Sequence, residues 1–191
     1  MRPPVLAAEF RLPAWVDGAI DWASTLGGDD DRMALAVRLS RLNVEHRTGG
    51  PFGAAIVERA SGRLVSVGVN LVVPANDCTL HGEMVAFSLA GRRLQSFTLG
   101  GAAQPAHELF TSCEPCAMCL GAALWSGVER VVFAATGQDA RELGFDEGPV
   151  SPEDHQYLAA RGVTFEAGPC RREAREVLAL YQRMAGEIYN G

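Results

Sequence analysis

The chain has 191 residues, 48% hydrophobic and 21% charged, with a formal net charge of -6; at that size folding removes roughly 70% of the unfolded surface from water, so neither a disulfide nor a metal is needed merely to hold one domain together. All 17 basic residues are arginine, and a chain without lysine excludes a lysine Schiff base and the phosphate-binding lysine of a P-loop or kinase. The acidic balance disfavours a duplex or tRNA partner, because phosphates are neutralised by many basic groups.

Residues 1–9 hold no apolar leader, and no run approaches the roughly 18 apolar residues of a membrane span, so a cytoplasmic protein is expected. Five cysteines, three of them crowded into residues 113–119, fit a reducing compartment and metal or catalytic use. After Pro13, residues 14–25 read as a short helix ended by Gly27-Gly28. Asp29, Asp30 and Asp31 then open a helix that carries Met33, Ala36, Val37 and Leu39 at helical spacing to about Glu45. Residues 52–58 and 64–73 are β-rich runs joined by Ala60-Ser61-Gly62-Arg63, a hairpin signal. A loop over 74–79 leads to a helix over about 80–94, with Met84, Phe87 and Leu89 expected inward. Residues 107–111 read as a strand, 116–125 as a helix, 128–134 as a buried strand, 163–166 as a last strand and about 171–186 as an amphipathic helix. Strands alternating with helices after an opening hairpin predict a mixed sheet covered on both faces.

His81, Cys116 and Cys119 have metal-ligand identity at informative spacing. Two cysteines three apart at a helix start lie on one face, and the helix N-terminus lowers the cost of keeping them as thiolates. That donor set suits zinc. Neither Cys78 nor Cys113 forms a C-x-x-C unit with His81, and His46, His107 and His155 stand alone. The count is therefore three protein ligands plus water, the catalytic pattern. Glu83, two residues after His81, is placed to move protons to and from such a water.

His81-Gly82-Glu83 with Pro115-Cys116-Ala117-Met118-Cys119 resembles the H-x-E and P-C-x-x-C signature of the zinc-dependent cytidine deaminase superfamily. Pro51-Phe52-Gly53-Ala54, Gly68-Val69-Asn70, Asn76-Asp77, Thr111-Ser112-Cys113-Glu114, Gly121-Ala122 with Trp125, and Gly144-Phe145-Asp146-Glu147 are similar to its guanine deaminase branch, which includes members active on the aminotriazine ammeline. The tail Glu187-Ile188-Tyr189-Asn190 resembles that branch too. The resemblance implies an α/β fold of three α/β/α layers with a mixed five-stranded sheet, one Zn2+ per subunit, and a homodimer. It makes residues 1–191 a single deaminase domain, with 1–48 as extra N-terminal helices, 51–147 as catalytic core and 168–191 as C-terminal helix and candidate lid.

Carried over by residue, Glu83 shuttles protons and Glu147 is a second catalytic carboxylate that holds substrate N–H groups beside Asp146. Asn70 hydrogen-bonds the base, Phe52, Ala54 and Trp125 line its pocket, and Tyr189 belongs to a lid. The implied reaction is hydrolytic deamination of a free nucleobase, first guanine to xanthine and ammonia, with ammeline or a dual activity next. Guanosine, cytosine and tRNA adenosine rank lower; the tRNA branch usually reads Leu-Glu-Pro-Cys where this chain has Cys113-Glu114-Pro115-Cys116. The rival from another class is a non-catalytic zinc-binding domain, against which the intact Glu83 speaks. Gly82 stands where most relatives have alanine, which is expected to loosen the first turn of its helix.

Overall fold

Pro13 precedes α1 (Trp15–Ala19) in a computed structural model that describes residues 9–102 and 104–190; residues 1–8 of the stretch read for a leader lie outside the described residues. α1 is shorter than the helix expected over 14–25. The Asp21 carboxylate accepts from the Ala23 N–H at 3.0 Å and the Ser24 hydroxyl donates to the Asp21 carbonyl at 2.9 Å. Such local bonds compete with helix continuation, so Ile20 is extended and Thr25 bridges to Arg63.

α2 (Asp29–Glu45) begins with three acids at the positive end of its dipole. The hairpin follows as β1 (Gly53–Glu58) and β2 (Leu64–Val69), paired antiparallel. β2 stops four residues short of the expected run, because the Asn70 side-chain oxygen accepts from the Val72 N–H at 3.2 Å and turns the chain into α3 (Val72–Ala75). Next come α4 (Gly82–Leu94), β3 (His107–Cys113), α5 (Ala117–Ser126) and β4 (Arg130–Ala135). Two short helices that hydrophobic periodicity did not single out, α6 (Gly137–Arg141) and α7 (Pro152–Ala159), precede β5 (Thr164–Ala167) and α8 (Arg171–Arg183).

The strands form one mixed five-stranded sheet in the order β2-β1-β3-β4-β5, antiparallel from β2 to β3 and parallel from β3 to β5. Successive side chains of a strand point to opposite faces, and the two cores follow that rule. Ala55, Val57 and Phe110 pack with Met33 and Leu39 of α2 and Val177 and Leu178 of α8. Ala54, Ile56 and Leu109 pack with Ala86 and Ala90 of α4 and Leu120 and Ala123 of α5. The result is the expected three layers. No helix among the described residues is long and apolar enough to cross a membrane.

α4 buries Val85, Ala86 and Ala90 fully; Phe87 and Leu89, expected inward, are half-buried and pack against the cores, and Met84 is half-buried without joining either. The reason is how near β2 comes. A Cβ on Gly68 would overlap the Gly82 carbonyl and sit 2.6 Å from the Ala86 nitrogen, so only small side chains fit along that line. The sheet backbone thereby braces the first turn that Gly82 was expected to loosen. β3 runs parallel to β4, and just past its carboxyl end the N-termini of α4 and α5 converge, the usual place for a site in an open α/β sheet.

Candidate active site

His81 is the N-cap of α4, Cys116 the N-cap of α5, and Cys119 lies one turn into α5. His81 Nδ1 stands 3.5 Å from Cys116 Sγ, and one donor atom from each of His81, Cys116 and Cys119 lies within 4.8 Å of the others. Tetrahedral zinc, with Zn–S near 2.3 Å and Zn–N near 2.0–2.1 Å, separates sulfur and nitrogen by about 3.5 Å. The donor set and its spacing fit zinc. Hydrogen bonding from Cys119 pulls the Cys116 thiol down to about 4, against burial and with help from His81. The same pairing and burial push Cys119 well up. A divalent cation takes the place of that shared proton and binds both sulfurs as thiolates.

Glu83 sits in the first turn of α4 and is 5% exposed. The Thr111 hydroxyl donates to its Oε1 at 3.0 Å and the Cys119 thiol to its Oε2 at 3.5 Å. Burial, with the Cys116 charge, raises its pKa. Glu147, also buried, is pushed up to about 8 by burial first and then by the Cys116 and Glu83 charges. Its carbonyl accepts from the Ala117 N–H at 3.0 Å, which ties its loop to the start of α5.

His81, Glu83 and Glu147 open on a cavity of about 210 Å3, walled also by Phe52, Cys113, Phe145 and Tyr189. The Phe145 ring lies edge-on to Phe52 at 5.0 Å and to Tyr189 at 5.2 Å. Tyr189 and Asn190 come from the segment after α8, which is latched across the cavity. Asn190 Oδ1 accepts from the Asp146 N–H at 2.9 Å, and its Nδ2 donates to the Gly144 carbonyl at 2.8 Å. Among the buried side-chain atoms of the described residues that lack partners are the Tyr189 hydroxyl and Asn70 Nδ2. The Tyr189 hydroxyl and the Asn70 amide oxygen both lie against Gly50. Buried polar atoms are rarely left unpaired, so a ligand that accepts a hydrogen bond suits this wall.

The structure therefore brings His81, Glu83, Glu147, Phe52, Asp146 and Tyr189 to one cavity, gathers Cys116 and Cys119 against His81, and buries Asn70 beside the lining residues Phe52 and Val72. It does not bring Ala54 or Trp125 there. Ala54 is wholly buried in the core beneath α4 and α5. Trp125 is 81% exposed, because it follows the inward-facing Ala123 by two residues, about 200° around the helix. Thr111, Cys78, Cys113, Phe145 and Asn190 were missed as site residues. Thr111, Phe145 and Asn190 lay inside motifs already singled out; the contact of Thr111 with Glu83 depends on where β3 passes beneath α4, which no local pattern encodes.

Residues 28–135 match the cytidine and deoxycytidylate deaminase zinc-binding region. Guanine deaminase of Bacillus subtilis is 38% identical over 133 residues, 70% of this chain and 81% of its own length. Among solved structures, guanine deaminase from Nitrosomonas europaea is 38% identical with a TM-score of 0.88, covering 95% of this chain and all of its own. A neighbour in complex with 2,6-diaminopurine is 41% identical with a TM-score of 0.88, over 95% of this chain and 96% of its own. With the region matched over more than half its length and guanine deaminases matched over most of theirs, the chain belongs to the zinc-binding cytidine and deoxycytidylate deaminase family, in its guanine deaminase branch.

Proposed function

We propose that this protein hydrolyses guanine to xanthine and ammonia. The observation that carries the proposal is a pair of buried carboxyl groups, Glu83 and Glu147, that face one aromatic-walled cavity beside a three-ligand metal cluster. His81, Cys116 and Cys119 would hold zinc, which would supply a water activated near neutral pH. Glu83 takes a proton from the attacking water and returns protons to the ring and to the departing nitrogen. Oxygen bonds to the amino-bearing carbon, the C–N bond breaks with its electron pair on nitrogen, and ammonia leaves. Glu147 accepts from the N–H edge of the base, and Asn70 Nδ2, which lacks a partner, donates to an acceptor on the ring. Phe52, Phe145 and Tyr189 hold the ring and exclude water. Guanine and ammeline both present such an N–H edge beside an amino carbon, which keeps ammeline as the second substrate.

Tyr189 and Asn190 lie over the cavity as a lid, which favours a free base over one still attached to tRNA. A homodimer is supported by α5, whose outward residues Met118, Gly121, Ala122 and Trp125 carry no charge and end in the exposed indole. Large exposed apolar surface of this kind marks interaction sites, and Trp125→Glu should shift the sedimentation of a dimer toward monomer. The odd cysteine count, with no disulfide among the described residues, suits a reducing cytoplasm.

The decisive experiment measures ammonia release from guanine, ammeline, guanosine, cytosine and adenine by zinc-loaded protein. Guanine is expected to turn over fastest, giving xanthine; a zinc-replete protein inert toward the whole panel refutes the proposal.

A further inference from the structure

The reaction proposed above makes two products of very different size, and the segment bearing Tyr189 and Asn190 covers the cavity that holds the larger one. A second cavity, of about 200 Å3, adjoins the first: Glu114 and Glu147 line both. Gly137, Arg141, Val150 and His155 are among its other walls. At about 30 Å3 per water-sized molecule it has room for several small guests.

Gly137, a wall of the second cavity, lies against the two residues the cavities share. A methyl on Gly137 would sit 3.2 Å from the Arg141 guanidinium, 3.4 Å from Glu114 Oε2 and 3.8 Å from Glu147 Cγ. Any side chain at this place would press against the Arg141 guanidinium and the Glu114 carboxylate. The Gly137 N–H donates to Glu114 Oε2 at 2.7 Å, which fixes one wall and leaves Oε1 toward His155. The His155 ring is stacked on Phe165, 5.0 Å away and within 2° of parallel. Its Nε2 is 3.6 Å from Glu114 Oε1, too far for a hydrogen bond, and has no other partner although that atom is buried. A small molecule with both a lone pair and N–H or O–H groups bridges such a pair.

We propose that the second cavity is the exit for ammonia. Resting on the deaminase function above, the released nitrogen passes Gly137 between Glu114 and Arg141 and leaves past His155, while the purine product stays under the C-terminal segment until that segment opens. No bond is made or broken along this path. The small product is removed without unlatching the lid, and water does not have to enter over the base.

The test narrows the passage at its two ends with Gly137→Val and Val150→Trp in the zinc-loaded enzyme. Neither residue is a metal ligand or a proton carrier. In steady state kcat for guanine is expected to fall about tenfold, as product release becomes limiting, while xanthine formation in a single turnover with enzyme in excess stays within about twofold of wild type. A burst of one xanthine per zinc then precedes the slow phase. The milder Gly137→Ala, expected to lower kcat about twofold to threefold with the same split, keeps the question answerable if either larger side chain prevents folding. Unchanged kcat in folded, zinc-bearing variants, or single-turnover and steady-state rates falling together, overturns the exit. A wild-type enzyme that frees no ammonia from guanine overturns the deaminase function itself, and the exit with it.

Discussion

β3 reaches a buried glutamate at either end, and the two keep opposite company. Near its start Glu108, 2% exposed, receives guanidinium groups from Arg32 at 2.6 Å, Arg59 at 3.3 Å and Arg130 at 3.5 Å. Arg130 is in turn held by Asp29 at 2.6 Å and Glu166 at 2.8 Å. Near the other end Thr111 donates to Glu83, about as deeply buried, which makes no ion pair among the described residues. Burial alone does not distinguish a structural acid from a chemical one; its partners do. Around Glu108 charge is neutralised on every side, and the group is locked. Around Glu83 and Glu147 no guanidinium among the described residues is paired with the carboxylate, and burial outweighs the nearby His81 and raises the pKa, which brings a carboxyl group closer to proton exchange at neutral pH.

The sharpest way to break this contrast is to remove each acid in turn. Glu83→Ala should lower ammonia release by a factor of about 100 to 10,000, the usual range for a lost general acid or base, while zinc content and melting temperature hold. A zinc-loaded Glu83→Ala protein with substantial activity would falsify its role. Glu108→Ala should do the reverse, stranding buried Arg32 and costing about 3–5 kcal/mol of stability in denaturant unfolding, with activity per folded molecule retained. Equal stability of that variant and wild type would show the arginine cluster to be dispensable.

Asp139 refines the comparison, since it too is a paired acid, held by Arg171 at 2.9 Å and Arg175 at 3.2 Å. Burial opposes its ionisation, but Arg171 and the Thr136 N–H outweigh it and leave the carboxyl at about 2. A depressed folded pKa stabilises the protein above the unfolded value, near 4, and that stability is lost as pH falls from about 4 to about 2. Asp139→Asn should cost about 2 kcal/mol at neutral pH and flatten this part of the stability curve. The smallest effect belongs to the lid: truncation after Met184 should leave zinc bound and reduce kcat about tenfold, the scale of a lost gating contact. An unaffected rate would remove Tyr189 and Asn190 from the mechanism.

The parts of the molecule legible in the residue pattern are those governed by short-range rules. Helix 29–45 was marked by its three leading aspartates, the hairpin by Ser61-Gly62, and the metal cluster by His-x-Glu and Cys-x-x-Cys spacing. Where a side chain competed with its own backbone, the pattern misled: Asp21 halted α1 and Asn70 ended β2. α7 carried a signal that periodicity overlooks, Ser151 before Pro152 with Asp154 accepting from the Ser151 N–H at 2.8 Å. Trp125 and Ala54 stand apart from this chain's cavity because a motif fixes which residues recur, not which way a helix has turned or how deep a strand lies. Thr111 and the latch of Asn190 onto Gly144 depend on contacts across 28 and 46 residues, distances over which local chemistry is silent.

The meeting of Gly68 and Gly82 has a mechanical meaning. His81 and Glu83 share one helical turn that rests on the sheet main chain with no side chain as a spacer. A shift of that turn moves metal ligand and proton carrier as a single part, preserving their alignment with each other. Cys116 and Cys119 hang from a separate helix and do not follow. The weak seam of the centre thus lies between the two helices, and a bulkier residue at position 68 loosens the grip on the metal before it slows the proton.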